Sequence, residues 1–189
     1  MSLKAKSIVL FAHGSGSSRF SPRNNFVASV LRGAGLGTLL LDLLTEKEDS
    51  VYENRFDIDL IADRLVEATK WITVYPKTKG MKIGYFGAST GAAAALQAST
   101  KMMNVSAIVS RGGRPDLAKD YLSKVKAPTL LIVGEYDYPV IELNEYAYEQ
   151  IKSEKKVIIV PRATHLFEEA GALEKVAELA KEWFVKYLS

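Results

Sequence analysis

Cysteine is absent from the 189 residues, and histidine occurs only at positions 13 and 165. The first absence excludes disulfides, thiolate metal sites and a thiol nucleophile, and it suits a reducing cytoplasm, the expected location. The second leaves too few imidazoles for a histidine-rich metal centre, and no metal or other cofactor is expected. No apolar stretch approaches the roughly 20 residues a membrane span needs, and the N-terminus lacks a signal-peptide core, so no membrane partner is expected. Acids and bases are mixed, 22 against 25 for a formal charge of +3. Without a long basic run, nucleic acid is not an expected partner either. There is no internal repeat and no low-complexity linker. The length suits one domain over 1–189, able to bury on the order of 70% of the surface of its unfolded chain; a homodimer is compatible with it.

What the sequence does contain centres on Met81 to Leu96, where a short apolar run stops at Gly87-Ala88-Ser89-Thr90-Gly91 and resumes as an alanine-rich helix. A strand, a tight turn and a helix sharing a serine form the Gly-x-Ser-x-Gly nucleophile elbow, which holds the serine strained with its hydroxyl above the sheet. Gly87 and Gly91 let strand and helix approach closely. The helix beginning at Thr90 turns its free N–H groups and positive dipole end toward the serine.

Around this elbow the chain alternates. Ser7 to Ala12 is a strand buried on both faces, ending in the small-residue loop His13-Gly14-Ser15-Gly16-Ser17-Ser18. Pro22 opens a helix with Phe26, Val27, Val30 and Leu31 inward, closing near Gly33. Thr38 to Leu43 is a strand, Thr45 to Asp57 a polar connection, and Ile58 to Val74 a helix with Ile58, Ile61, Leu65, Ala68 and Ile72 on its core face. Strands follow at Ala107–Ser110, Thr129–Val133 and Lys156–Val160. Helices are expected from Pro115 or Asp116 to near Val125, from about Ile141 to Ile151, and from Leu173 to Tyr187. Six strands alternating with helices predict a three-layer α/β/α sandwich on a mostly parallel six-stranded sheet.

In such sheets the working groups collect at the carboxyl ends of the strands. Ser89, Asp137 and His165 fall there, in the order that the elbow motif carries. His165 then serves as general base and Asp137 orients it, with Glu135 as rival for the acid role. N–H groups of the Ser15 region and of Thr90 would form the oxyanion hole. His13 is expected to brace its loop. Arg19, Arg23, Arg111 and Arg114 lie in loops at the same edge, and guanidinium groups suit an anionic substrate.

These segments, His13-Gly14-Ser15-Gly16, the elbow, Val133-Gly134-Glu135-Tyr136-Asp137 and Ala163-Thr164-His165, resemble the α/β-hydrolases of the dienelactone-hydrolase-like group from end to end. The resemblance implies a cofactor-free serine hydrolase of a small ester, lactone or thioester, working through an acyl-enzyme of Ser89. It favours Asp137 over Glu135. Substrate contacts are expected at Gly14 and Gly16 of the first loop and, from guanidinium chemistry, at Arg19, Arg111 and Arg114, the alternative being that these arginines pair with nearby acids or stay solvated. Dienelactone hydrolase itself carries a cysteine nucleophile where this elbow holds serine. The chain opens at what would be the family's third strand and has no insertion long enough for a cap domain, so a minimal α/β-hydrolase fold with a shallow pocket is expected. An amidase or peptidase would use the same triad, and a non-catalytic binding protein would keep the fold without the chemistry. A nucleotide-binding domain fits less well, since the first loop lacks a P-loop lysine and a third dinucleotide-pattern glycine.

Overall fold

A computed structural model describes residues 5–189. Six strands, β1 (Ser7–Ala12), β2 (Gly37–Leu40), β3 (Lys82–Ala88), β4 (Val105–Arg111), β5 (Thr129–Gly134) and β6 (Lys155–Val160), form one sheet in the order β2-β1-β3-β4-β5-β6. Every pairing is parallel. Parallel neighbours need crossovers, and the helices that supply them cover both faces. These are α1 (Pro22–Gly33), α2 (Glu46–Asp49), α3 (Ile58–Val74), α4 (Thr90–Lys101), α5 (Lys119–Leu122), α6 (Tyr138–Gln150) and α7 (Ala172–Leu188). None is long and apolar enough to cross a membrane, among the described residues.

Strand alternation divides the core into two layers. From β1 and β3, Ile8, Leu10, Ala12, Ile83 and Tyr85 pack with Ile61, Leu65 and Ile72 of α3 and Leu96 of α4. Val9, Phe11 and Phe86 turn the other way, onto Val27 and Leu31 of α1 and Val176, Ala180 and Phe184 of α7. Gly84 is part of that second layer: a side chain there would meet the Phe184 ring at 2.7 Å. Each aliphatic side chain so buried contributes roughly 1.5–3 kcal/mol. The strands read as continuous apolar runs because both of their faces are covered.

The pattern-derived bounds hold for β1, α1 and α3, and others shift. The β2 ladder ends at Leu40, three residues before Leu43. Within the expected connection Thr45–Asp57 lie α2, closed by a Thr45/Glu48 capping box, and a 3-10 turn at Tyr52–Phe56. The helix expected from Pro115 to Val125 is a 3-10 turn (Pro115–Ala118) followed by the single turn α5. On α1 the buried face is Asn24, Val27, Ala28 and Leu31, while Phe26 stands in solvent.

The consequence for function lies in the strand order. The chain leaves β1 toward β2 on one side and returns to β3 on the other, so the β1 and β3 loops part company and leave a crevice at their carboxyl ends.

Candidate active site

Ser89 stands at that crevice with φ 51° and ψ −122°, a backbone conformation that costs a non-glycine residue of order 1–3 kcal/mol. The surroundings enforce it. Its N–H donates to the Arg111 carbonyl at 3.3 Å, and its carbonyl accepts from Ala92 and Arg114, each at 3.0 Å. A Cβ on Gly87 would collide with the Ala92 backbone, and one on Gly91 with the Ala12 carbonyl, so glycine is what lets α4 approach β3 at the first place and the end of β1 at the second. Gly14 lies against the serine itself, where an added Cβ would come within 2.9 Å of Ser89 Cβ.

A cavity of about 270 Å³ opens over Ser89, walled by Gly14, Ser15 and Ser17 of the first loop, by Ser21, Arg23 and Asn24 at the start of α1, and by Arg111, His165 and Leu166. His165 Nδ1 lies 2.6 Å from Asp137 Oδ2. That contact assigns the Nδ1 proton to the carboxylate and leaves Nε2 as the basic nitrogen. The Ser89 hydroxyl and the imidazole line the same cavity without a hydrogen bond between them. Glu135 is occupied elsewhere, accepting the Arg162 N–H at 2.6 Å. The loop carrying His165 is seated by Gly134, where any side chain would strike the Ala163 carbonyl.

The first loop is braced by His13, whose Nε2 accepts the Leu43 N–H at 3.2 Å while Nδ1 contacts the Gly14 carbonyl at 2.9 Å. The one imidazole tautomer that serves both places its proton on Nδ1. Next to it, the Ser15 N–H is not free, as an oxyanion donor would be, but donates to Thr90 Oγ1 at 3.0 Å. Thr90 sits at the start of α4, where first-turn N–H groups have no intrahelical acceptor.

The arginines separate into two groups. Arg19 is paired with Asp42 at the surface, and Arg114 is held by both Asp116 oxygens at 2.9 Å; neither lines the Ser89 cavity. Their expected substrate contacts are therefore corrected: local carboxylates hold both. Gly16 is also displaced, since it faces a small void behind the loop with Leu43, Asp49 and Arg55, whereas Gly14 borders both spaces. Arg111 does line the cavity, 5% exposed and with no carboxylate partner. Burial, and then the charge of Arg23, push its guanidinium down to about 10, still cationic at neutral pH. Arg23, one of the four arginines expected at this edge, also lines the cavity. Asn24 was not expected there; the Ser21-Pro22 pair, a cap followed by proline at the first helical position, was the signal that α1 begins at this edge.

A parallel sheet switched between its first and third strands, with a strained serine in a glycine-flanked turn, defines an α/β-hydrolase. A family model described as "Dienelactone hydrolase family" matches residues 43–188, and the chain belongs to that family. It is similar to the crystal structure of a dienelactone hydrolase from Anabaena variabilis, at 60% identity and TM-score 0.95, covering 98% of this chain and 88% of that one. It is also similar to a Mycobacterium tuberculosis protein named "Putative phosphoribosyl transferase", 56% identical over 186 residues. That match takes in 98% of this chain but only 42% of the mycobacterial protein. An esterase of Pyrococcus furiosus shares the fold at 18% identity and TM-score 0.80, covering 99% of this chain and 84% of the other.

Proposed function

We propose that the chain is a serine hydrolase of small esters or lactones, acting through an acyl-enzyme. The observation that carries this reading is the positive-φ Ser89 sharing one cavity wall with an imidazole whose far nitrogen is 2.6 Å from Asp137. Ser89 Oγ attacks the carbonyl carbon while His165 Nε2 takes its proton. Asp137 keeps the ring in the useful tautomer and stabilises the cation that forms. The imidazolium then protonates the departing alkoxide, and a water activated by the same nitrogen releases the acid. The Thr90 N–H, together with the Ser15 N–H once Thr90 Oγ1 yields it, receives the negative charge on the carbonyl oxygen, at roughly 3 kcal/mol per donor. With Arg111 in the wall, the preferred substrate carries a negative charge.

Phosphoribosyl transfer, the activity in the mycobacterial relative's name, belongs on this reading to the part of that protein lying outside the match. The matched segment is 56% identical to a chain whose residues 43–188 fit the hydrolase family.

A fluorophosphonate probe with mass mapping tests the proposal. Adduct on Ser89 that disappears in His165→Ala is the expected result. A folded protein that takes up no label would instead favour a binding protein that keeps only the fold.

A further inference from the structure

The wall of the Ser89 cavity opposite the nucleophile is built from groups with unused donors. Helix α1 begins there, capped by Ser21, whose hydroxyl accepts the Asn24 N–H at 3.3 Å. Pro22 has no N–H, so the Arg23 N–H is the first-turn donor that this cap does not use. Arg111 has one hydrogen bond, from Nη2 to Asn24 Oδ1 at 3.2 Å, and its buried Nε has none. Arg23 gives Nη1 to the exposed Glu168 at 2.9 Å, and its buried Nε is likewise unbonded. Two guanidinium groups thus face one small space, each with a desolvated N–H unmatched, and no carboxylate lines that space. Leaving such donors unmatched is costly, and like charges placed together add to the cost. An anion of the right shape removes both.

Shape and charge narrow the choice. A carboxylate is planar, carries one charge and is matched by a single guanidinium fork. Here the unmatched donors belong to two separate arginines and a helix N-terminus, with Ser15, Ser17 and Ser21 also in the lining. A tetrahedral anion with three terminal oxygens meets donors from separate elements, and its charge falls to Arg111, which has no acid partner, and to the Arg23 Nε that the ion pair with Glu168 leaves unbonded.

We propose that this subsite, formed by Arg23, Arg111, the N-terminus of α1 and the neighbouring serine hydroxyls, binds a phosphate group, and that the ester cleaved at Ser89 is a phosphorylated one. The second half rests on the hydrolase reading above; the first does not.

Titration calorimetry of the wild-type protein with inorganic phosphate and with acetate, at constant ionic strength, tests it. Phosphate is expected to bind one to one and at least about tenfold more tightly than acetate, the margin of one additional charge-assisted hydrogen bond. Arg111→Met should abolish phosphate binding. Arg23→Gln, at a side chain 32% exposed, should weaken it about tenfold. Equal affinity for acetate and phosphate would overturn the proposal in favour of a carboxylate site, as would phosphate affinity unchanged by Arg23→Gln. Fluorophosphonate labelling reports the hydrolase reading separately: a labelled protein without phosphate preference loses only the subsite. A phosphate-selective protein that is never labelled loses only the esterase chemistry.

Discussion

The Ser15 N–H donates to Thr90 Oγ1 across 75 residues of chain, fastening the loop after β1 to the first turn of α4. Thr90 is nearly fully buried, so its hydroxyl is held for this contact rather than for solvent. The bond sets the height of the first loop over Ser89, and the donor it engages is one that the oxyanion would need. Thr90→Val keeps the volume and removes the acceptor. We expect kcat for a p-nitrophenyl ester to fall about tenfold with little change in KM, short of the hundredfold or more seen when such a donor is deleted. Thr90→Ser should stay within about a factor of two, since the hydroxyl remains. The hydroxyl must also yield this donor to the oxyanion, so a Thr90→Val enzyme faster than wild type would show that releasing the Ser15 N–H matters more than the placement the bond gives it.

The backbone of Ser89 separates stability from activity. Its φ of 51° with ψ of −122° is open to glycine but strained for any residue with a Cβ. Ser89→Ala retains the strain and loses the nucleophile, so it should abolish hydrolysis and leave stability within about 0.5 kcal/mol. Ser89→Gly also abolishes hydrolysis, but it releases strain of order 1–3 kcal/mol against the larger unfolded-state entropy of glycine. The net is a gain of about 1 kcal/mol, or roughly 2–4 °C in Tm for a chain of this size. Equal melting temperatures for the two variants would limit the stored strain to the roughly 0.4–1 kcal/mol that the unfolded-state entropy of glycine cancels, and a Ser89→Gly chain that melts below Ser89→Ala would mean that the elbow stores none.

How much of this could be read in the sequence depended on whether a feature is set locally. The two-sided burial of Ser7–Ala12, the length of Ile58–Val74 and the Gly87-Ala88-Ser89-Thr90-Gly91 turn were legible, because apolar runs, a 3.6-residue period and paired glycines fix them at short range. Ala68, taken as a core position, is half-buried at the edge of that face. The Thr45-x-x-Glu48 capping box was also in plain view, hidden only by the polarity of its surroundings. Partner choice was not legible. Arg19 and Arg114 look like Arg111 in sequence; Asp42 and Asp116 neutralise the first two, and nothing in the chain around Arg111 says that it will be left without an acid. Asn24 is a similar case: on a helical wheel it is a polar break in an apolar face, whereas across the fold it accepts from Arg111, 87 residues away.

Tyr85 supplies a pH test independent of the site. It is fully buried in β3, and its hydroxyl is 2.6 Å from Thr69 Oγ1, which itself donates to the Leu65 carbonyl at 2.7 Å. The Thr69 proton being so used, the phenol is the donor in the pair. Burial raises its pKa well above the ordinary tyrosine value. A raised folded-state pKa favours the neutral phenol in the native chain. Its contribution to stability is therefore complete below the unfolded value of about 10 and is lost as pH rises from there toward the folded value. In an alkaline ultraviolet titration, exposed members of the nine tyrosines should ionise first and reversibly, while Tyr85 ionises only as the chain unfolds. Tyr85→Phe should remove that late, cooperative component and cost about 1 kcal/mol at neutral pH, the worth of one hydrogen bond whose partner keeps its other contact. If every tyrosine titrated in a single reversible phase near pH 10 with the fold intact, the sealed core between β3 and α3 would have to be abandoned.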